Sequence, residues 1–335
     1  MLSAAADSLA IVRRAADRLT DWRFHCWYWG DAIAIDGLME AHALGAGAYR
    51  DHVIDTLQRW HRSCLPNFDD VLAPGATIIQ LIMEGDLPPA AGDRLLGLLE
   101  GLPAASGAVP ALEPHRPAFR NGLCIDLVYH LPATYARLAR WKGDQRFADK
   151  AVRIALDCMR VLRCKAGWAQ WYDPVRKRNN EAAWTRGMGW AVLGLLDLLP
   201  LVEGSAADEV ADLAVGVMER LAQTQAADGN WAAVLERPEA DTETSTAAFF
   251  VAAALHPAAQ GLFAVPRAVL ASAEAACHRA LSSDGTYSGV TEDVLPSWDI
   301  KSYEHTPTGP SPWAQGAAVR AFVALARRAP PAGLA

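Results

Sequence analysis

Two acids and one arginine stand out as residues whose setting suits chemistry. Asp126, in FRNGLCIDLVYH, is flanked by Ile125 and Leu127 at the start of an apolar segment. Apolar surroundings disfavour a carboxylate, so such a group holds its proton and can serve as a general acid near neutral pH. Asp70, in NFDDVLAPG, precedes a Pro-Gly turn and the buried-looking run ATIIQLIM. Asp69 competes with it, and either suits a helix cap, as does Asp31 in WGDAIAIDGL. Arg186 lies in WTRGMGW between Trp184 and Trp190, where Gly187 and Gly189 permit close approach or unusual backbone angles. A planar guanidinium forks onto carboxylates. Between two aromatic rings it suits an anionic sugar such as a uronate; pairing with an acid of the protein itself is the other reading.

The remaining aromatics gather in a few segments: Trp27 and Trp29 in CWYWGDA, Trp168, Trp171 and Tyr172 in GWAQWYD, then Trp231, Trp298 and Trp313. Flat apolar rings with a polar edge suit the C–H faces of sugars, and placement in Gly-bearing loops favours a carbohydrate cleft over plain core.

Helices must position these residues. Residues 143–164, GDQRFADKAVRIALDCMRVLRC, put Phe147, Ala151, Ile154, Ala155, Cys158 and Val161 on one face at helical spacing, with Asp144 as a cap. Residues 188–203, 207–225 and 266–282 read the same way, and strand-like alternation is rare. The helices recur as a unit. A long amphipathic helix ends in a Gly-aromatic loop (AGWAQW, DGNW, DGTYSG), and a low-charge helix rich in small residues follows (GMGWAVLGLLDLL, STAAFFVAAAL, PSPWAQGAAVRAFVAL). Spaced about 60 residues apart, these units predict stacked helical hairpins. Alternation of buried and half-wet helices fits two concentric rings. The expected fold is all-α: a single-domain (α/α)6 toroid of six hairpins over residues 1–335, with the Pro-rich stretch 103–117 as a loop inside it.

Composition narrows the function classes. The chain has 335 residues, is 52% hydrophobic and 21% charged, and carries 31 basic against 38 acidic residues for a net charge of −7. That excludes a disordered chain, and without a basic stripe no nucleic-acid partner is expected. Six scattered cysteines form no CxxC pair, so neither a disulfide framework nor a zinc site is indicated. No uncharged apolar run reaches about 18 residues, so no membrane span is expected. The opening MLSAAADSLAIVRRAADRL reads as an amphipathic helix rather than a signal peptide, which points to a cytoplasmic, reducing setting.

Taken together, WYWGDAIAIDGL, FDDVLAPG, GLCIDLVYHLPATYARLARWKGDQRFADKA, EAAWTRGMGWAVLGLLDLL and ETSTAAFF resemble, in order over roughly residues 22–320, the unsaturated glucuronyl and rhamnogalacturonyl hydrolases of glycoside hydrolase families 88 and 105. The resemblance implies an (α/α)6 barrel and a metal- and cofactor-free hydrolase whose partner is an unsaturated oligosaccharide left by a polysaccharide lyase. In that chemistry an aspartate protonates C4 of a terminal Δ4,5-unsaturated uronate. Water activated by the same group adds at C5, and the hemiketal opens to release the aglycone. The matching positions are Asp126 for this aspartate and Asp70 for a second one. Trp184, Arg186 and Trp190 match the substrate-binding element, and Trp29 an N-terminal aromatic against the sugar. Departures fall at Met188, where Asn or Gln is common, at Gln170, where a polar residue is often His, and at PSPWAQG, where Tyr303, His305 and Ser311 can replace polar contacts. Competing classes on the same toroid are sugar 2-epimerases, which need paired histidines, zinc-dependent lanthionine-type cyclases, faintly suggested by Cys26 and Cys277-His278, and a non-catalytic sugar-binding toroid.

Overall fold

The computed structural model describes residues 2–24, 29–63, 74–102, 104–110, 122–235 and 237–328. Long helices of two kinds alternate along the chain. Those of the outer ring are α1 (Leu2–Thr20), α3 (Tyr49–Ser63), α5 (Pro89–Glu100), α7 (Gln145–Leu162), α9 (Ser205–Gln223) and α11 (Arg267–Ala280). Those of the inner ring are α2 (Trp29–Ala43), α4 (Gly75–Glu84), α6 (Leu127–Lys142), α8 (Thr185–Leu198), α10 (Thr244–Ala254) and α13 (Pro312–Arg328). Each inner helix touches the next in the order α2, α4, α6, α8, α10, α13, and α13 returns to α2, closing the ring. This is the (α/α)6 toroid expected from the repeat.

Burial follows the two kinds of sequence. On α7 only one face is enclosed (Ala151, Ile154, Ala155, Cys158, Met159, Leu162), and Asp144 accepts a hydrogen bond from the Arg146 amide at 3.0 Å as its N-cap. On α10 every residue from Ser245 to Ala253 is buried. The glycines of α8 let it press on its neighbours. A Cβ at Gly189 would lie 2.6 Å from the Phe249 side chain, and one at Gly194 would lie 2.2 Å from the Val128 carbonyl oxygen.

The two ends of the toroid differ. Most connections leaving inner helices are short, such as Gly143–Asp144 between α6 and α7. Four connections entering inner helices are long and carry small strands: β1 (Ala104–Ser106) with β2 (Val109–Pro110), β3 (Leu123–Cys124) with β4 (Trp171–Asp173) and β5 (Arg178–Asn179), β6 (Trp231–Ala232) with β7 (Thr242–Glu243), and β8 (Val290–Thr291) with β9 (Thr308–Gly309). A one-turn helix, α12 (Lys301–Glu304), sits in the last connection.

The Gly-aromatic loops turn out to be helix terminators. Trp168 donates its Nε1–H to the Met159 carbonyl at 3.1 Å and Trp231 donates to the Leu221 carbonyl at 2.8 Å, each near the C-terminus of the outer helix just ended. Both rings are buried, as is Tyr287, so these aromatics serve the core in place of the expected cleft. Each ring adds a donor to a carbonyl in the last turn of its helix. Gly229 and Gly285 make the turns possible, with φ of +85° and +87°, values that favour glycine.

A charged hub on the toroid axis has no counterpart in the sequence pattern. Arg320 of α13 binds Asp197 of α8 through both Nη atoms (3.0 and 2.9 Å), Glu40 of α2 at 2.9 Å and the Tyr129 hydroxyl of α6 at 3.0 Å. His256, just past α10, contacts Asp197 at 3.2 Å, and Thr77 of α4 donates to Asp36 of α2 at 2.5 Å. Tyr129 also donates to Asp36. Five inner helices and the turn that follows α10 therefore meet through one guanidinium and three carboxylates. Arg320 and His256 hold the Asp197 carboxyl far below its ordinary range despite burial.

Candidate active site

Asp126 stands at the N-cap of α6, at the end of the toroid that carries the long connections. The preceding strand places it there: β3 pairs with β4 (Leu123 with Tyr172, Cys124 with Trp171), and the Ile125 amide donates to the Gln170 carbonyl at 2.9 Å. The Asp126 side chain makes no capping bond, and its buried Oδ1 has no hydrogen-bond partner among the described residues. Burial pushes its proton affinity up to about 7. The nearby Arg186 charge opposes that rise, and the Asp293 carboxylate adds to it. The acid is held protonated below neutrality, as its apolar neighbours led us to expect.

Burial keeps other groups of the inner wall uncharged, and the Asp126 charge acts on two of them, Cys158 and Tyr303. His130, one turn further along α6, is buried with neither ring nitrogen hydrogen-bonded among the described residues, and burial pushes it down to about 3. Its ring sits 5.2 Å from that of Tyr129 and 5.4 Å from that of Trp190. The Cys158 thiol of α7 and the Tyr303 hydroxyl of α12 are pushed up by burial.

Arg186, the second residue of α8, has a different partner from the sugar carboxylate expected for it. Its side chain is fully buried and meets Glu243 at 3.1 Å, where neither partner is exposed. Its Nη1 also donates to the Thr291 carbonyl at 2.5 Å and the Thr291 hydroxyl at 2.8 Å, and its Nη2 donates to the Glu292 carbonyl at 3.0 Å. Glu243 caps α10, accepting from the Ser245 amide at 3.1 Å. The guanidinium lies 4.5 Å above the Trp184 ring and 5.8 Å from that of Trp313. One arginine thus ties α8, α10 and β8 together, and its charge reaches Asp126.

Gln170 and Tyr303, both expected to face the sugar, instead face each other. The Tyr303 hydroxyl donates to the Gln170 Oε1 and accepts from Asn180 Nδ2 at 2.8 Å and from the Ser297 amide at 2.8 Å. Gln170 Nε2 donates to the Val294 carbonyl at 2.7 Å. Both side chains are buried, so their polar ends serve the wall of the site. Trp190 is buried against Tyr129 and Phe249, with ring centroids 4.9 Å away in each case. Trp184, at the N-cap of α8, is also buried, and its Nε1 has no hydrogen-bond partner among the described residues. Met188 is core. Asp70 with its neighbour Asp69 lies outside the described residues, and so do Cys26 and the side chain of Trp29.

A half-buried ring, Trp298, lines the outer part of this wall. It meets Trp171 edge-on at 5.1 Å and carries the guanidinium groups of Arg176 and Arg178 at 4.9 and 4.5 Å. No cluster of three or more His, Cys, Asp or Glu side chains is placed to hold a metal ion among the described residues. Cys277 is buried on α11, and the His278 ring rests against Phe322 at 5.2 Å. No helix among the described residues is long and apolar enough to cross a membrane.

Comparison with known proteins assigns this architecture. Residues 111–329 match the profile of Glycosyl Hydrolase Family 88. The chain belongs to that family. As a family 88 glycosyl hydrolase it shares its fold with several solved structures. A possible family 105 member from Klebsiella pneumoniae subsp. pneumoniae superposes with a TM-score of 0.84 at 17% identity, over 96% of this chain and 93% of that one. A family 105 glycoside hydrolase from C. acetobutylicum gives 0.76 at 18% identity, over 91% and 94%. An unsaturated glucuronyl hydrolase from Bacillus sp. GL1, described as responsible for glycosaminoglycan degradation, gives 0.72 at 16% identity, over 97% of both chains. Curated protein sequences give no match.

Sequence reasoning singled out Asp126 but passed over Glu243, Thr291 and Asp293. Glu243 lay inside the ETSTAAFF stretch, and a Glu two residues before a Ser at a helix entry was the available signal for a cap. Asp293, in VTEDVLP, had none.

Proposed function

We propose that this family 88 hydrolase removes a terminal Δ4,5-unsaturated uronate from lyase-generated oligosaccharides by hydrating the C4=C5 double bond. The observation that supports this reading is Asp126: a buried carboxyl at an inner-helix N-terminus, protonated up to about pH 7, with Oδ1 unpartnered among the described residues. A carboxyl kept protonated near neutrality is the acid that protonation of an enol-ether carbon requires.

In this scheme Asp126 gives its proton to C4. The Asp126 carboxylate then takes a proton from water as the water oxygen bonds to C5, so the enzyme regains its starting form. The C5 hemiketal opens by breaking the bond from C5 to the ring oxygen, which takes the hydroxyl proton; the hemiacetal left at C1 then collapses to an aldehyde, passing its proton to the glycosidic oxygen, and the aglycone leaves as an alcohol. The buried Arg186 charge favours the carboxylate formed midway. Trp184 contributes an indole N–H to the same wall. Asp70 keeps the second-carboxylate role that the family resemblance gives it.

Turnover in D2O tests the chemistry. Deuterium should appear at C4 of the released sugar, with solvent oxygen bonded at C5. Solvent oxygen at C1 of the sugar, with the double bond intact, would rule the scheme out in favour of ordinary glycosidic hydrolysis.

A further inference from the structure

Resting on that reading, we propose that the toroid axis holds a water channel that opens at the end of the short connections and stops at His130, and that the water consumed at C5 arrives through it. A cavity of about 180 Å³ lies between α2, α4 and α6, and its lining includes His130, Ala133, Arg137, Gln80, Glu40 and Asp197. Glu40 and Asp197 stand near the C-terminal ends of α2 and α8, whereas His130 is the fourth residue of α6, so the cavity runs along the axis. The seven residues from His130 to Arg137 carry it over about 10 Å. Exposure changes in the same direction. His130 and Ala133 are 3% and 2% exposed, while the Glu40 and Asp197 side chains are 27% and 21% exposed and Gln80 and Arg137 are half-buried. The cavity thus meets solvent at the rear of the toroid and closes towards the site.

His130 brings the closed end within one turn of Asp126. Its amide donates to the Asp126 carbonyl at 3.3 Å, and residues four apart on a helix share a face, with Cβ atoms about 5–6 Å apart. Both ring nitrogens are unpartnered among the described residues, and burial keeps the ring neutral, which leaves one donor and one acceptor. Buried polar groups ordinarily have a partner, and in a polar cavity water supplies it. One water needs roughly 10–15 Å³, so the cavity holds several, yet it falls below the roughly 300 Å³ at which small-molecule sites begin. The side walls give water no other route among the described residues. Arg186 and Glu243 close the α8–α10 side without exposure, and Gln170 and Tyr303 are buried against each other. A sugar seated on Asp126 from the end of the long connections blocks the remaining way in. Each turnover consumes one water, its oxygen bonding to C5 and one proton passing to the Asp126 carboxylate, and the channel refills the place from behind.

Two measurements test the channel. A high-resolution crystal structure of the wild-type protein should show a file of ordered waters from Glu40 to a His130 ring nitrogen. Ala133→Leu should obstruct the bore and lower kcat at least about tenfold through loss of a positioned water. Substrate Kd, measured by calorimetry with Asp126→Asn also present, should stay unchanged, and Ala133→Ser, which keeps the bore open, should restore kcat. Should Ala133→Leu not fold, Gln80→Trp obstructs the outer half and is read the same way. Absence of water on both His130 nitrogens overturns the proposal, as does a wild-type kcat in the folded obstructed variant. An equal loss in Ala133→Ser also overturns it, because packing and not the bore would then be the cause. The waters are read in resting protein, so failure of the hydration scheme is seen separately, in the products formed in D2O.

Discussion

Arg186 and Glu243 meet at 3.1 Å with both side chains sealed from solvent, and the same glutamate caps α10. A buried ion pair that loses one partner leaves an uncompensated charge, which costs about 3–5 kcal/mol. Glu243→Gln should therefore destabilise the fold by that order in a denaturant titration. The Arg186→Met, Glu243→Met double variant should cost less than the sum of the two single changes, because no orphan charge remains.

Asp126→Asn should lower kcat by about 10² to 10⁴-fold, the usual contribution of a positioned acid, with circular dichroism unchanged. It should also stabilise the protein. The folded-state proton affinity lies above that of the unfolded chain, so ionisation of Asp126 costs stability progressively as pH rises from about 4 to about 7. The gain in melting temperature from the amide should accordingly be larger at pH 8 than at pH 5.

The same group sets the pH dependence of the reaction. The acid form of Asp126 starts the cycle, so kcat/KM should fall with a slope of one as pH rises through about 7. A stopped assay in buffers from pH 5 to pH 9 checks this.

How much of this was legible in sequence depends on the kind of information each feature needs. Periodicity along one segment gave the outer face of α7, the Asp144 cap and the alternation that closes into a toroid, because each is local. The apolar flanks of Asp126 likewise foretold its protonation. Partnership across the fold is not local. Arg320 reads in sequence as one charge on a small-residue helix, yet its acceptors lie 123, 191 and 280 residues away. The Gly-aromatic loops misled for a similar reason: composition places a ring in a loop, but whether it turns to the cleft or back to a helix carbonyl is decided by the turn.

Two variants separate these structural roles from chemistry. Trp231→Phe removes the Nε1–H donor to Leu221 and part of the ring, and should cost about 1–3 kcal/mol of stability with kcat retained. Arg320→Met leaves Glu40 without its ion-pair partner and Asp197 with His256 alone, and should cost about 3–5 kcal/mol, partly recovered at low pH as those acids protonate.

Ultraviolet absorbance of the conjugated enol acid tests the hydration chemistry most directly. A panel of unsaturated disaccharides from pectin, ulvan and glycosaminoglycans is incubated with the wild-type protein and with Asp126→Asn. Loss of absorbance with release of the second sugar on at least one member, abolished in the variant, is the predicted result. Persistent absorbance on every member with folded wild-type protein, or equal loss with Asp126→Asn, would contradict it.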